Sequence, residues 1–238
     1  MDISRRNFVK AAFVAGGAAC LDPVRMARAM GTADIPQGFR EIVGNVQLNG
    51  RPAQIGDLVR PGDVVETGPG AKATFVAGKD AYLLRSETRL EIPPAEAAEG
   101  EYLRRLQVGA GALMGVFDAG TLASVISGKE RHVETPTAVA GVRGTGLYVE
   151  VDPFRTYFCT CYGTVAFEAR RSPGEKRTAR TRHHEQPYYI LAESEGGEWF
   201  LDAPMKNHTD AELRMLEGLV GRRPPFDERS TEDDNRGY

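Results

Sequence analysis

The chain has 238 residues, with 30 Lys or Arg against 33 Asp or Glu, a formal charge of -3 and a hydrophobic share of 41%. That balance excludes a disordered or membrane-embedded chain, and the length suffices to bury a core without disulfide staples. It also lacks the basic excess that phosphate recognition requires, so nucleic acid is not an expected partner.

The first element in chain order is an address. Ser4-Arg5-Arg6-Asn7-Phe8-Val9-Lys10 has the form of a twin-arginine export signal, its hallmark being the Arg5-Arg6 pair. Ala11 to Leu21 follows, uncharged and only mildly apolar, where a spanning helix needs about 20 residues. This reads as the apolar region of a cleavable signal and not as a transmembrane anchor. Ala27-Arg28-Ala29 is a small-x-small cleavage site, so residues 1–29 are expected to be removed, leaving 25 basic against 31 acidic residues and a charge of -6. The twin-arginine translocase is the implied export partner and the periplasm the implied location. Lipid anchoring at Cys20 is the less favoured alternative, because Gly17 stands where a large aliphatic residue is usual. The route carries folded proteins, often ones that load a cofactor before export.

From Phe39 the apolar pattern has period two. Ile42, Gly44, Val46 and Leu48 alternate with polar residues as far as Asn49-Gly50, a strand running into a hairpin turn. Turn signals at Arg60-Pro61-Gly62-Asp63, Gly68-Pro69-Gly70 and Gly78-Lys79-Asp80 recur about every ten residues, and that spacing predicts an all-β body. Residues from Pro93-Pro94 to Gly100 read as a loop. Leu103, Leu106 and Val108 then resume the strands, continued by Leu113, Val116 and Phe117.

Leu58-Val59-Arg60-Pro61-Gly62-Asp63-Val64-Val65-Glu66-Thr67-Gly68, then Ala71-Lys72-Ala73-Thr74-Phe75, then Thr135-Pro136-Thr137-Ala138-Val139-Ala140-Gly141-Val142-Arg143-Gly144-Thr145 resemble the FecR domain family over about residues 55–151. The resemblance implies a periplasmic, β-rich binding, sensor or scaffold domain. Here the family's cytoplasmic and spanning segments are replaced by the signal, so a stand-alone form is implied. The motif residues Gly62, Asp63, Thr67, Gly68, Arg143, Gly144 and Thr145 read as structural. Gly62-Asp63 suits a tight turn whose carboxylate accepts backbone N–H groups. Arg143, between small and apolar neighbours, is expected to bury its guanidinium against an acceptor as a clamp.

Beyond the family core, Cys159 and Cys161 lie two apart, so on a strand both thiols share one face, with α-carbons roughly 6.5 Å apart. Three roles remain open: thiols that share a transition metal, a strained redox-active pair, or small apolar packing. Of the four histidines, His132, His183, His184 and His208, the adjacent His183-His184 pair should point to opposite sides, one towards the cysteine strand and one to solvent. Thiolate with imidazole suits tetrahedral ligation of zinc, copper(I) or an iron-sulfur cluster, which makes Cys159, Cys161, His183 and His184 the candidate metal or redox residues.

The stretch from Arg170-Arg171 to Arg182 is basic and aperiodic, and reads as a long surface hairpin loop. Pro187-Tyr188-Tyr189-Ile190 and Trp199-Phe200-Leu201 return to strands. Thr209-Asp210-Ala211-Glu212 is a capping box, and Leu213, Leu216, Leu219 and Val220 form an apolar stripe ending at Gly221: one helix.

The expected organisation is therefore a signal at 1–29, a β domain at 38–201 with its extension at 152–201, a helix and linker at 202–226 and a mobile tail at 227–238. The expected fold is all-β, a single sandwich or short solenoid-like body of antiparallel strands with one C-terminal helix. No nucleophile, base and orienter can be located, and no phosphate-binding glycine loop or zinc-protease motif is present, so a non-catalytic protein is expected, with its ligand or envelope partner unnamed.

Overall fold

The computed structural model describes residues 35–94, 103–120 and 131–227. The signal, Cys20, residues 95–102 and the tail beyond Asp227 lie outside the described residues. The body is all-β with one helix. Its strands are β1 (Gly38–Val43), β2 (Val46–Leu48), β3 (Arg51–Pro52), β4 (Val64–Thr67), β5 (Lys72–Ala77), β6 (Asp80–Leu84), β7 (Arg89–Glu91), β8 (Arg105–Val116), β9 (Arg131–Glu134), β10 (Ala138–Val151), β11 (Arg155–Ala169), β12 (Lys176–Thr181), β13 (Pro187–Glu195) and β14 (Glu198–Asp202). The helix, α1, spans Asp210–Leu219.

All fourteen strands join in one hydrogen-bonded sheet that doubles back on itself. The long strands make this possible. The first half of β8 pairs with β7 and β9, and its second half, from Gly111, pairs with β6 and β10. β10 joins β9 through residues 139–142 and β8 through residues 146–151, with its register broken between them. β11 joins β13 through residues 155–159 and β12 through residues 163–168. Each long strand thus begins in one layer and ends in the other, as in sandwiches whose strands switch sheets at bends.

The bends fall on Gly111, Gly144 and Gly163, all at positive φ. At Gly163, with φ +93°, a Cβ would stand 2.5 Å from the Gly144 carbonyl oxygen and 2.7 Å from Thr145 Oγ1. At Gly111 it would meet Thr88 Oγ1 at 2.4 Å and its Cα at 2.5 Å. Only glycine supplies both the left-handed backbone and the clearance.

Between the layers lies the main core, to which Phe39, Val65, Phe75, Tyr82, Leu90, Leu106, Leu113, Val133, Leu147, Val149, Phe158, Val165 and Phe167 contribute. A second apolar cluster covers the outer face of β6, β8, β10 and β11: Leu83, Met114, Tyr148, Tyr157, Cys159, Cys161 and Tyr162, beneath Leu213 and Leu216 of α1 and Val220 at its C-cap. The helix starts as its sequence dictates, with Thr209 as N-cap and a complete capping box with Glu212, and its stripe docks on the sheet.

Several expectations are corrected. The strand read from Ile42 to Leu48 is two strands, because Gly44 at φ +75° turns the chain from β5's layer into β4's. One pair is parallel, β8 with β9. The basic stretch from Arg170 to Arg182 is not all loop: β12 lies within it, an edge strand with only Ala179 and Thr181 facing inward, which leaves its alternation unreadable. Arg143 is exposed, so it is no buried clamp. Period-two alternation through buried Ala138, Ala140 and Val142 puts it on the outer face, and the register shifts only after it, before buried Thr145. The rest of the family-like motif does structural work. Asp63 accepts from the Arg60 N–H at 2.7 Å and from Asn49 Nδ2 at 2.7 Å, and Gly62 sits at φ +96°. Thr67 Oγ1 donates to the Arg85 carbonyl and accepts from the Thr88 N–H at 2.9 Å. Gly68 donates to the Asn45 carbonyl at 2.8 Å. Thr145 Oγ1, beside the Gly144 bend, donates to the Thr164 carbonyl at 3.0 Å. Asp227, expected to open the mobile tail, is held by Arg214 at 2.8 Å.

Candidate metal centre

The site is built on β11. Period two puts Cys159 and Cys161 on its outer face, where both are free thiols with no exposed surface. Tyr157, two residues earlier on that face, is also buried. The strand alone therefore delivers two sulfur atoms to one point under the helix.

The turn after β12 delivers an imidazole to the same point. The His184 N–H donates to the Cys161 carbonyl at 2.9 Å, which pins the turn to β11, and His184 itself adopts φ +57°. This conformation sends its ring inward, 5% exposed, while the His183 side chain is 47% exposed. The divergence of the pair follows the expectation, although a turn, not a strand, produces it. His184 Nδ1 lies 3.3 Å from Cys159 Sγ.

The fourth group is His208, which the sequence reading did not select. It stands immediately before the helix N-cap and is 6% exposed. Its ring stacks on Tyr148, with centroids 4.6 Å apart at 20°. Its Nε2 lies 3.1 Å from His184 Nδ1. A histidine next to a capping box faces whatever the helix N-terminus docks on, and that is the signal that could have found it. His132, by contrast, lies on β9 opposite Arg105 and Gly141 and takes no part.

The ligand atoms of Cys159, Cys161, His184 and His208 all lie within 4.8 Å of one another. Zinc with two sulfurs at about 2.3 Å and two nitrogens at about 2.05 Å sets tetrahedral edges of roughly 3.3 to 3.8 Å. The measured 3.1 Å nitrogen pair and 3.3 Å sulfur–nitrogen pair are close to those edges.

The outer partners fix which nitrogen of each ring faces inward. His184 Nε2 meets Asp210 Oδ1 at 3.0 Å, and His208 Nδ1 meets the Lys206 carbonyl at 2.6 Å. A carboxylate and a carbonyl only accept, so each of those nitrogens carries a hydrogen. In their neutral forms the rings therefore aim two lone pairs at each other across 3.1 Å, an arrangement that a proton or a metal ion must bridge. Imidazoles oriented by a carboxylate and by a backbone carbonyl are what metal-binding histidines require.

The electrostatics describe the proton-bridged form. The neighbouring Cys161 thiol, and then His184 and His208, outweigh burial and bring the Cys159 thiol down to about 4. Burial, reinforced by Cys159, pushes the Cys161 thiol well up. Burial lowers His184, but Cys159 and Asp210 overcome it and raise the ring above its ordinary value. Burial raises Asp210, and His183 and His184 overcome it and hold the carboxyl low. Without metal, a Cys159 thiolate faces His184, whose other nitrogen donates to the Asp210 carboxylate.

That line has the composition of a cysteine nucleophile with its base and orienter, but both sulfurs are fully buried and a fourth ligand crowds the base. A closed set of four donors suits holding a metal and not turning over a substrate. His183 stands outside the set. It contacts both Asp210 oxygens at 2.9 Å and so buttresses the carboxylate that orients His184.

Among the described residues no helix is long and apolar enough to cross a membrane. No protein-family description matches the sequence, and comparison with curated proteins finds no relative. By fold, the chain is similar to two crystal structures of a candidate anti-sigma factor from Parabacteroides distasonis, each at 12% identity and a TM-score of 0.46. Each match covers 65% of this chain, and this chain spans 65% and 64% of the length of those chains, just under two thirds.

Proposed function

We propose that this protein is an exported, non-catalytic FecR-like β domain that binds one thiophilic transition metal, zinc foremost, through Cys159, Cys161, His184 and His208. The observation that carries the reading is the pair of inward imidazole nitrogens 3.1 Å apart, each oriented by an outer acceptor and set against two buried thiols. Two thiolates and two neutral imidazoles carry a charge of -2. A divalent ion neutralises them, which a buried site favours because an uncompensated charge there is costly. Copper(I) shares the preference for soft donors but leaves one negative charge. The twin-arginine signal supports the same reading, since metal can enter during folding in the reducing cytoplasm, before the thiols meet an oxidising compartment. The FecR-like motifs support a binding or sensor role in the envelope, with the partner left open.

Cobalt(II) substitution tests this reading. A tetrahedral site with two sulfurs and two nitrogens gives intense visible bands and a sulfur-to-cobalt charge-transfer band, and Cys159→Ser and Cys161→Ser should each remove part of that intensity. A pale spectrum of octahedral type, indifferent to both substitutions, would overturn it.

A further inference from the structure

The metal ligands come from two parts of the chain that the sheet does not join. Cys159, Cys161 and His184 belong to β11 and the turn hydrogen-bonded to it. His208 belongs to the linker between β14 and α1, and Asp210, which orients His184, is the first residue of α1. We propose that the metal is a latch: its occupancy holds residues 203–220 on the sheet, and its removal lets the linker and helix open as a unit. This inference rests on the metal-binding reading above.

The rest of the docking is modest. α1 has ten residues, too short to be stable alone, and it inserts Leu213 and Leu216, joined by Val220 at its C-cap. Gly218 lies within its last turn and no basic residue complements that end. Its one buried charge, Glu217, accepts from the Tyr162 hydroxyl and pairs at 2.6 Å with Arg222, which donates to the Lys79 carbonyl at 2.6 Å, and a partly exposed ion pair joins Glu212 to Arg85 at 2.7 Å. The linker is held by a short polar network: the Ala203 N–H donates to the Pro187 carbonyl at 3.0 Å, the Tyr157 hydroxyl donates to the Pro204 carbonyl at 3.0 Å and accepts from the Lys206 N–H at 3.2 Å, and Lys206 and Asn207 each meet Glu150 at 2.9 Å.

The metal adds a direct bond to His208 and, through His184, draws on Asp210, so it grips the junction of linker and helix. Opening takes one ligand away and breaks the site. The metal therefore opposes opening by the factor one plus its free concentration over its dissociation constant, about 100-fold at a hundred times that constant.

Amide hydrogen exchange on the full chain, first stripped with a chelator and then saturated with zinc chloride, tests the latch, with bound zinc measured on the same samples. Zinc is expected to slow exchange across residues 203–220 by about 100-fold while leaving the β8 and β10 amides unchanged. In His208→Ala that slowing should vanish, and in His132→Ala, which alters a β9 residue that takes no part in the site, it should persist. Stoichiometric zinc with no change at 203–220, or with equal slowing throughout the sheet, would overturn the latch and leave the metal site standing. No bound zinc would overturn the metal-binding reading, and the latch with it.

Discussion

His184 Nδ1 and His208 Nε2 meet at 3.1 Å although 24 residues separate them, one ring carried by a turn on the sheet and the other by the approach to a helix. Each ring is anchored by its far nitrogen, so the meeting is imposed from outside. The histidines should therefore differ sharply in their effect on metal. His208→Ala removes a ligand and is expected to weaken zinc binding by at least about 100-fold, whereas His183→Ala, which removes only a contact to Asp210, should cost less than about 10-fold. Competition against a chromophoric chelator measures both, and equal losses would contradict the assignment.

Asp210 acts through His184. Asp210→Ala should lower zinc affinity by roughly 10- to 100-fold while stoichiometry stays at one, since outer partners of metal-bound histidines contribute on that scale. The substitution also takes an acidic residue from the first turn of α1, worth about 0.5 kcal/mol to the helix. Affinity and thermal unfolding of the metal-free protein, measured together, separate the two effects. An affinity unchanged despite a lowered melting temperature would reduce Asp210 to a helix residue.

Protons and metal compete for the site. The Cys161 thiol is pushed up and holds its proton at neutral pH, His184 is raised towards its protonated form, and the Cys159 thiol is already ionised. Zinc must displace the Cys161 proton and the protonated fraction of His184, and its apparent affinity should fall as the pH is lowered. Calorimetry in buffers of different ionisation enthalpy is expected to report at least about one proton released per zinc near pH 7. No release would mean that the thiols and imidazoles are not the ligands.

Far from the metal, Asp80 is fully buried against Arg131 Nε at 2.7 Å and accepts from the Asp118 N–H at 2.7 Å. Burial exceeds the pull of Arg131 and raises the carboxyl to about 6. The folded group holds its proton more tightly than the unfolded one. Its contribution to stability is therefore complete below about pH 4 and is lost as pH rises through about 6, by about 3 kcal/mol in all. Denaturant unfolding should show wild type losing stability relative to Asp80→Asn as pH rises over that range. Wild type gaining stability relative to the variant as pH rises would mean that the ion pair outweighs burial.

The layer-crossing bends make a structural prediction. Gly163→Ala puts a methyl group 2.5 Å from a carbonyl oxygen at φ +93° and should destabilise the domain by about 2 kcal/mol or more. Gly174→Ala, also at positive φ but with nothing within 4 Å of the added atom, isolates the backbone part of that cost and should be milder. Equal midpoints in denaturant would remove the steric argument.

Period-two patterning made most of the β body legible, as did the turn signals and the capping box, which reappear as the Asn49-Gly50 hairpin, the Gly62, Gly70 and Gly78 turns and the start of α1. The cysteine pair was legible because alternation puts both thiols on one face whatever the tertiary fold. His208 was not, because its role depends on where the linker docks, a contact with no local signature. Arg143 misled because its apolar neighbours suggested burial, whereas alternation with the inward Ala138, Ala140 and Val142 already puts it on the outer face. The bends at Gly111, Gly144 and Gly163 were hidden for a related reason: a glycine in a strand looks alike whether it weakens the strand or turns it into another layer.

The central claim is most directly tested by elemental mass spectrometry of the protein purified from cells that express the full chain, beside a Cys159→Ala/Cys161→Ala variant. The account predicts about one zinc or copper per chain, lost in the variant. Protein that carries no metal and takes up none when its reduced thiols are dialysed against zinc would contradict it.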